Sequence, residues 1–352
     1  MALLSALDGW MGQVDEGTVV GALLIDLSKA FDTLPHHHLL SELLQIGCGQ
    51  KAMSWFTSYL TDREQRVTQG SLLSDWKQVS RGVPQGSSIS PLLFNIFVGR
   101  LPAAVQSNTL QFADDVTHSE ADVCPLKVIS KLTESFELTK TFCDNHELAI
   151  NTAKTQFILF KSPSKKLNSD LSITLDGCSI IPSEHVKLLG VTLDHHFTFS
   201  VHIDNTVKKA RGVLGAIARA APNLPTSLLR LAYISLVRSL LEYASATFVS
   251  ASATQLNKLE VVQKMASRII CQVPRLTHSA PLLDSLHLES LGKRREDHVI
   301  KLVDDILNGR THPALLRMFW KDNTGVIIND NQARIGIGRR RFSIFAKNIV
   351  NV

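Results

Sequence analysis

Two groups of acidic residues lie at the end of one short apolar run and between two others, where they could bind divalent metal ions. Asp26 ends the run TVVGALLID, and Asp114 and Asp115 lie between apolar flanks in TLQFADDVTHS. Adjacent carboxylates among apolar residues repel each other unless cations compensate their charge. Carboxylates that converge from separate strands can hold two hard cations for phosphoryl transfer. An Asp-Asp pair taken alone is more often a solvated turn, so its surroundings must decide.

The hydropathy pattern predicts the elements that would position these acids. Residues 18–26 form a β-branched, apolar run that is typical of a buried strand. Residues 109–119 place short apolar flanks around the paired acids and predict a hairpin. Between them the pattern predicts helices over 37–46, 51–60 and about 92–105, and short strands over 64–68 and 76–80.

The segment after this hairpin predicts one long helix and then further strands. Apolar residues from Leu126 to Phe142 recur near helical spacing. Asp176-Gly177 is a strong signal for a two-residue hairpin turn, because both turn positions favour positive φ. The strands are expected over 156–160, 171–175, 178–182 and 186–193.

The chain changes character near residues 195–200, after which every pattern is helical. We therefore predict an α+β fold with three domains: an antiparallel sheet with helices over 1–195, a helical domain over 196–275, and a helical extension with a weakly structured tail over 276–352. The helices are expected over 202–220, 226–248, 254–272, 281–289 and 293–307, and the tail from Asp322.

Composition indicates a globular protein with unevenly distributed charge. Its residues are 44% hydrophobic and 20% charged, and its five cysteines form no C-x-x-C pair, which argues against a zinc knuckle or a disulfide framework. We expect neither secretion nor membrane insertion, because the start is a poor signal peptide and the apolar runs are short. Residues 1–199 carry a net charge of −6 and residues 200–352 a net charge of +11. The basic half suits a polyanionic partner, although a solvated helical surface explains it equally well.

Five ordered motifs resemble those of reverse transcriptases from non-LTR, LINE-type retrotransposons of the jockey kind. LLIDLSKAFDT (23–33), RGVPQGSSISPLLF (81–94) and QFADDVTHS (111–119) resemble the three palm motifs. HELAINTAKTQFILF (146–160) resembles the fourth motif, and HVKLLGVTLD (185–194) resembles the primer-grip hairpin. The resemblance implies a right-hand polymerase palm followed by a helical thumb. It also implies RNA-directed DNA polymerase activity in the nucleus, the cytoplasm or both.

The resemblance assigns the acidic residues to metal binding. Asp26 and Asp114 would ligate both metals, Asp115 would assist, and the Leu27 carbonyl would be an extra ligand. The implied cofactor is a pair of Mg²⁺ ions, for which Mn²⁺ can substitute. The implied partners are an RNA template, a DNA primer and deoxynucleoside triphosphates, with no membrane partner and an undetermined oligomeric state.

Further roles follow from the same resemblance. Phe31 would lie beneath the incoming sugar and exclude a 2′-hydroxyl, although ordinary core packing is the alternative. Gln85, Gly86 and Arg81 would support the nucleotide, since glycine lets the backbone approach a ligand closely. Lys154 would act near the leaving pyrophosphate as a general acid or a charge stabiliser, with a solvated surface lysine as the alternative.

The resemblance also assigns two sets of residues that would hold nucleic acid. Leu189 and Gly190 match the primer-grip turn, for which a plain hairpin is the alternative. Basic residues would track the template–primer backbone without reading sequence. These thumb residues are Lys208, Lys209, Arg211 and Arg219.

Two other features bear on function. The run His36-His37-His38 is not predicted to bind metal, because successive helical residues point in different directions and the sequence shows no partner cluster. No Lys, Arg or His precedes Asp26, where the family places basic finger residues. We therefore expect a 5′-truncated copy with most of the fingers missing. The alternative function is a catalytically incompetent remnant that at most binds nucleic acid.

Overall fold

The computed structural model describes residues 1–105, 107–168, 170–321, 327–328, 333–334 and 336–350. Backbone contacts divide the chain into two compact units. The sheet unit comprises Val19–Leu159 and Leu167–Ser183. The helical unit comprises Met1–Thr18, Phe160–Lys166 and Glu184–Val352.

The helices and strands of the described residues alternate through the sheet unit, and helices dominate after residue 200. The strands are β1 (Val19–Asp26), β2 (Glu64–Gln65), β3 (Thr68–Gln69), β4 (Leu72–Leu73), β5 (Lys77–Gln78), β6 (Asn108–Phe112), β7 (Asp115–Asp122), β8 (Gln156–Phe160), β9 (Ile173–Leu175), β10 (Cys178–Ile180), β11 (His185–Leu188), β12 (Val191–Asp194), β13 (Trp320–Lys321) and β14 (Ile327–Ile328). The α-helices are α1 (Ala2–Asp15), α2 (Ala30–Thr33), α3 (His36–Gln45), α4 (Gln50–Leu60), α5 (Ser90–Val98), α6 (Leu101–Val105), α7 (Pro125–Asn145), α8 (Ser200–Ala220), α9 (Thr226–Ala232), α10 (Ser239–Glu242), α11 (Ala253–Ile270), α12 (Ala280–Ser285), α13 (Leu291–Leu307) and α14 (Phe342–Val350).

A four-stranded sheet in the order β6-β7-β1-β8 forms the centre of the sheet unit. β1 runs antiparallel to β7, with a register from Val19 opposite Asp122 to Asp26 opposite Asp115. β6 and β7 form the predicted hairpin, with Phe112 opposite Asp115. Because β1 is an inner strand, its apolar residues are almost all buried, which explains its continuous apolar run. The fold is the predicted α+β arrangement of an antiparallel palm sheet followed by helices.

Helix α7 packs directly against β1, and Gly21 permits the close approach. A Cβ at Gly21 would lie 2.5 Å from Cγ1 of Val128 and 2.7 Å from Cδ1 of Leu132. Both α7 side chains are fully buried in the core of the sheet unit. Any side chain at Gly21 would push the helix off the sheet, because a packed core cannot absorb the extra volume without strain.

His118 on β7 is a polar residue fully buried beneath α7. Its Nε2 lies 2.7 Å from Oγ1 of Thr139, and its Nδ1 lies 2.9 Å from Oγ1 of Thr109. Burial lowers the pKa of His118 to about 4. The imidazole is therefore neutral at physiological pH. Three hydroxyl groups hold it, because Oγ of Ser107 also lies 3.2 Å from Nδ1.

The strand prediction for residues 64–80 needs correction. Four two-residue strands replace the two predicted strands and pair antiparallel as β2 with β5 and β3 with β4. All eight of these residues are exposed. Without a buried face to stabilise a longer ladder, the pairing ends after two residues on each side.

The helix predicted over 226–248 is also longer than the observed one. The observed helix consists of α9, a π-helical segment Tyr233–Arg238 and α10. It ends at Glu242. Tyr243 leaves the helix with an extended ψ of 127°, and Ala244 is left-handed with φ 53°. Apolar periodicity alone did not mark this end, since no glycine or proline stands there.

The helical unit has its own core, and α8 contributes an apolar face to the unit. Buried residues of α8 recur at helical spacing: Ile203, Val207, Ala210, Leu214 and Ile217. A second apolar cluster joins α13, α14 and the 3₁₀ helix Pro313–Met318. Within the described residues, we find no helix with the length and apolarity to cross a bilayer.

The tail prediction is wrong for its last part. Residues 322–326, 329–332, 335 and 351–352 lie outside the described residues, but Phe342–Val350 is a helix. The buried carboxylate of Asp8 accepts hydrogen bonds from the Ser343 backbone N–H at 2.8 Å and from Arg341 at 2.9 Å. A partner at the other end of the chain orders this segment, and local composition cannot reveal such a partner.

Candidate active site

The structure brings the three predicted metal-binding acids together at one end of the sheet. Asp26 is the last residue of β1 and Asp115 the first of β7, and the two are register partners. Asp114 occupies the turn just before Asp115, next to Ala113, which has a left-handed φ of 52°. The tight turn between β6 and β7 therefore projects a pair of acids beside the end of β1.

The electrostatics of this site favour a bound cation. The pKa of Asp115 is raised, first by loss of solvation and then by the negative charges of Asp114 and Asp26. Both the loss of solvation and the neighbouring negative charges disfavour the ionised carboxylate, and a divalent cation would offset both effects. Carboxylate oxygens are also the ligands that Mg²⁺ prefers. The residues present therefore fit a divalent metal ion.

Lys154 is tied to Asp26 through both backbone and side chain. The Asn151 backbone N–H donates to the Asp26 carbonyl at 2.8 Å, and Leu27 forms a bridge with Ile150. The turn that begins at Asn151 then places the Lys154 Nζ 3.8 Å from Oδ2 of Asp26. The lysine side chain is 70% exposed, so it can reach a ligand at the carboxylates.

Phe31 lies where the chain after β1 meets the Arg81–Pro91 loop. The Val83 N–H donates to the Phe31 carbonyl at 2.8 Å, which joins the two segments. A Cβ at Gly82 would lie 2.7–2.8 Å from the backbone of Asp32, so only glycine permits this approach. The half-buried Phe31 ring stacks on Phe94 with centroids 4.4 Å apart. One face of Phe31 is thus fixed by the core.

The other predicted nucleotide-binding residues occupy the same loop. Gln85 donates through Nε2 to Oδ1 of Asp32 at 2.7 Å. Gly86 is exposed with φ 87°, and a Cβ there would meet no atom within 4 Å. The half-exposed Arg81 is ion-paired with Glu147. The structure therefore gives Gln85 and Arg81 protein partners that the sequence analysis did not foresee.

Sequence reasoning missed three residues that organise this site. Asp32 fixes Gln85, and the hydroxyl of Tyr59 donates to Oγ of Ser87 at 2.8 Å. Glu147 holds Arg81. Asp32 directly follows Phe31, and that proximity was an available signal. Tyr59 and Glu147 had none, because their partners are distant in sequence.

The predicted primer-grip turn belongs to the helical unit. Leu189 and Gly190 join β11 to β12 and both have positive φ, 45° and 83°. The Tyr243 hydroxyl donates to the Leu189 carbonyl at 2.9 Å. A Cβ at Gly190 would lie 3.0 Å from the Tyr243 ring. Tyr243 therefore supports the turn from the segment that follows α10, a role that its sequence context did not indicate.

The four predicted nucleic-acid-binding residues lie on α8, opposite its apolar face. Lys208, Lys209, Arg211 and Arg219 are all exposed. Gly212 and Gly215 lie between them on the same helix, and a Cβ at Gly212 would meet nothing within 4 Å. Glycines inside a helix cost about 1 kcal/mol each relative to alanine. Because these glycines have no side chains, they leave open space between the basic side chains on the exposed surface of α8.

Comparison with known proteins identifies the family. Residues 12–193 match the family described as reverse transcriptase (RNA-dependent DNA polymerase). The match covers more than half of the chain and includes all three acids and Lys154. The chain belongs to the reverse transcriptase family.

Related mobile-element proteins agree with the resemblance seen in the motifs. The RNA-directed DNA polymerase from mobile element jockey of Drosophila melanogaster is 26% identical, over 90% of this chain and 35% of its own length. The probable RNA-directed DNA polymerase from transposon BS of the same species is 25% identical, over 86% of this chain and 34% of its own length. The predicted LINE-type, jockey-like membership is confirmed. This chain spans about a third of the length of these relatives.

Among solved structures, the likeness is distant. A telomerase from Candida tropicalis in complex with a TWJ fragment of telomeric RNA aligns with 80% of this chain and 51% of its own. The sequence identity is 13% and the TM-score is 0.41.

The family as a whole implies dependence on a divalent metal ion, which is consistent with the carboxylates at the end of β1 and at the start of β7.

Proposed function

We propose that this chain carries out RNA-templated DNA synthesis, with deoxynucleoside triphosphates as substrates and a primer 3′-hydroxyl as the nucleophile. The observation that carries the proposal is the pairing of Asp26 with Asp115 beside Asp114 in the adjoining turn. Three carboxylates at one strand end match the requirement of phosphoryl transfer for hard cations held by separate strands. The family membership of residues 12–193 supports the same reaction.

The three acids would hold two Mg²⁺ ions, with Mn²⁺ as a substitute. Bound there, the ions supply charge neutralisation for the phosphates and activation of the primer hydroxyl. Asp26 and Asp114 are proposed as ligands of both ions, with Asp115 and the Leu27 carbonyl assisting. The fixed strand register supports this assignment, because it keeps Asp26 and Asp115 opposed before any ligand binds.

Lys154 is proposed to protonate or neutralise the leaving pyrophosphate. Its Nζ lies 3.8 Å from Asp26, and its exposed side chain is free to turn toward a triphosphate at the carboxylates. A proton held at Nζ could pass to the departing phosphate oxygen, which would otherwise leave with an uncompensated charge. The backbone link from Asn151 to Asp26 supports this role by fixing the base of the lysine.

Phe31, Gln85, Gly86 and Arg81 are proposed to shape the nucleotide site. The ring of Phe31 is packed on Phe94 and cannot retreat into the core, so it can exclude a 2′-hydroxyl by its bulk. Gln85 is positioned by Asp32. Gly86 leaves space for a ligand beside the loop backbone.

The helical unit is proposed to hold the template and primer. The exposed basic residues of α8, Lys208, Lys209, Arg211 and Arg219, would contact phosphates without reading bases. The Leu189-Gly190 turn, supported by Tyr243, would contact the primer end. The nucleic acid proposed to bind these residues is an RNA template paired with a DNA primer.

Primer extension tests the proposal. Purified protein, an RNA template with an annealed DNA primer, Mg²⁺ and deoxynucleotides should yield extended primer, and the Asp114→Asn variant serves as the blank. Extension above that blank supports the proposal. Duplex binding without extension would instead favour the alternative of a catalytically incompetent nucleic-acid-binding protein.

A further inference from the structure

Two histidines at the start of α3 converge on one carboxylate of the α7–β8 connection. The Nε2 atoms of His37 and His38 lie 3.5 Å and 3.6 Å from the same oxygen, Oε1 of Glu147. All three donor atoms lie within 4.8 Å of one another. The sequence alone predicts no metal site here, because successive helical residues point in different directions and no partner cluster is visible in it. The fold supplies Glu147 as that partner.

We propose that His37, His38 and Glu147 form a binding site for one Zn²⁺ ion, separate from the carboxylate site of Asp26. Two imidazoles and one carboxylate are a recurrent zinc ligand set that leaves a fourth position for water. Ligands of a tetrahedral zinc ion at bond lengths near 2.1 Å lie about 3.4 Å apart. Both nitrogen-to-oxygen distances are close to that value.

The other oxygen of Glu147 gives the site a supporting contact. Oε2 of Glu147 accepts a hydrogen bond from the Arg81 guanidinium and forms an ion pair with it, while Oε1 faces the two histidines. Arg81 therefore orients the carboxylate without occupying the oxygen that faces the imidazoles. Residues that hold a ligand in this way typically strengthen metal binding by 10- to 100-fold.

The third histidine of the run has a different role. His36 Nε2 lies 2.8 Å from the carbonyl of Gly82 and so is engaged with the backbone. His37 and His38 are accessible, with side-chain exposures of 68% and 33%. Zn²⁺ is favoured over Mg²⁺, which prefers oxygen ligands in an octahedron.

Zinc at this site would join three segments of the sheet unit. His37 and His38 belong to α3, Glu147 follows α7, and Arg81 begins the loop that carries Gln85. The inferred role is to cross-link these segments through three protein ligands, with water in the fourth position. The ion would fix the base of that loop, as zinc does when it cross-links segments distant in sequence.

Calorimetric titration with ZnCl₂ tests the site, using the full chain without an affinity tag and in excess Mg²⁺ to fill the carboxylate site. We expect one Zn²⁺ per chain. His37→Ala, His38→Ala and Glu147→Gln should each weaken binding at least tenfold, and Arg81→Gln should weaken it by about 10-fold or more. His195→Ala is the matched control, because His195 and His196 form another adjacent pair with the same 4.2 Å centroid separation.

Cobalt substitution supplies a second measurement. Co²⁺ bound by two imidazoles and a carboxylate should give visible absorption of a four-coordinate ion without a thiolate charge-transfer band, and the His37→Ala/His38→Ala double variant should lose it. Binding that survives the double variant, a thiolate band, or no Zn²⁺ binding by a folded protein would overturn the proposal. Because both histidines are accessible, circular dichroism should show that the variants remain folded.

Discussion

Asp26 and Asp115 are register partners at the last rung of the ladder between β1 and β7. Antiparallel pairing places the end of one strand beside the start of the other, so residues far apart in sequence become neighbours. The pKa of Asp115 is raised, first by loss of solvation and then by the negative charges of Asp114 and Asp26. The strand register therefore creates a concentration of negative charge suited to metal ions.

Asp114→Asn should abolish synthesis while leaving nucleic-acid binding intact. The substitution keeps the shape of the side chain and removes the charge that would hold metal, a contribution worth several kcal/mol. Primer extension should fall by roughly 100-fold or more. Asp75→Asn, at an exposed position on the loop before β5, should leave the rate unchanged. Equal rates for wild type and Asp114→Asn would rule out the carboxylate site as the catalytic centre.

Phe31→Ala should admit ribonucleotides. Removing the ring opens the space that a 2′-hydroxyl would occupy. A preference for deoxynucleotides over ribonucleotides that depends on one small group should fall by roughly 10- to 100-fold. The measurement is the ratio of ribonucleotide to deoxynucleotide incorporation. Phe136→Leu is the control, because Phe136 is a fully buried phenylalanine of α7 whose loss should affect stability rather than sugar choice. An unchanged ratio in Phe31→Ala would assign Phe31 to the core alone.

Substitutions of Lys154 should separate proton transfer from charge stabilisation. Lys154→Ala should slow nucleotide addition by about 100-fold if the lysine is a general acid. Lys154→Arg keeps the positive charge but cannot release a proton at ordinary pH. Recovery of the rate in Lys154→Arg would indicate charge stabilisation, and a rate as low as that of Lys154→Ala would indicate proton donation. A rate close to that of the wild type in Lys154→Ala would exclude both roles.

The affinity for a duplex should depend less steeply on salt concentration when the exposed basic residues of α8 are neutralised. In Lys208→Ala/Arg211→Ala/Arg219→Ala, the slope of log affinity against log salt should fall by about 1 for each phosphate contact removed. Fluorescence anisotropy with an RNA–DNA duplex measures the slope. Lys258→Ala is the control, because Asp204 already neutralises Lys258 at 2.5 Å. Identical slopes in the triple variant and wild type would place the duplex elsewhere.

His118 should make the protein less stable at acidic pH. Its pKa is lowered from 6.5 to about 4 in the folded state, so the unfolded chain binds the proton first as the pH falls. Stability is therefore fully present above pH 6.5 and declines as the pH falls toward 4. The free energy of unfolding should drop by about 2 kcal/mol between pH 7 and pH 5.

Urea denaturation at the two pH values measures this loss. His118→Gln removes the titrating group, so its free energy of unfolding should change less between the two pH values than that of the wild type. The comparison isolates His118 from other titrating groups, because both proteins share all of those. An equal change in the two proteins would show that His118 does not account for the acid sensitivity.

The local signals in the sequence were enough to predict much of the palm and its acids. The alternation around Asp114 and Asp115 predicted the β6–β7 hairpin, and Asp176-Gly177 predicted the turn between β9 and β10, where both residues have positive φ. The periodicity of α8 predicted its apolar face. Each of these depends on neighbouring residues, whose backbone preferences and spacing are visible in one short segment.

Only the tertiary structure decided which distant residues meet. It placed Glu147 against His37 and His38, Tyr243 against the Leu189 carbonyl, and Asp8 against the last helix. It also ended α10 at Glu242 and shortened the strands between residues 64 and 78. These outcomes depend on burial and on partners that chain topology brings together. A single sequence records the side chains that take part but not the folded path that pairs them.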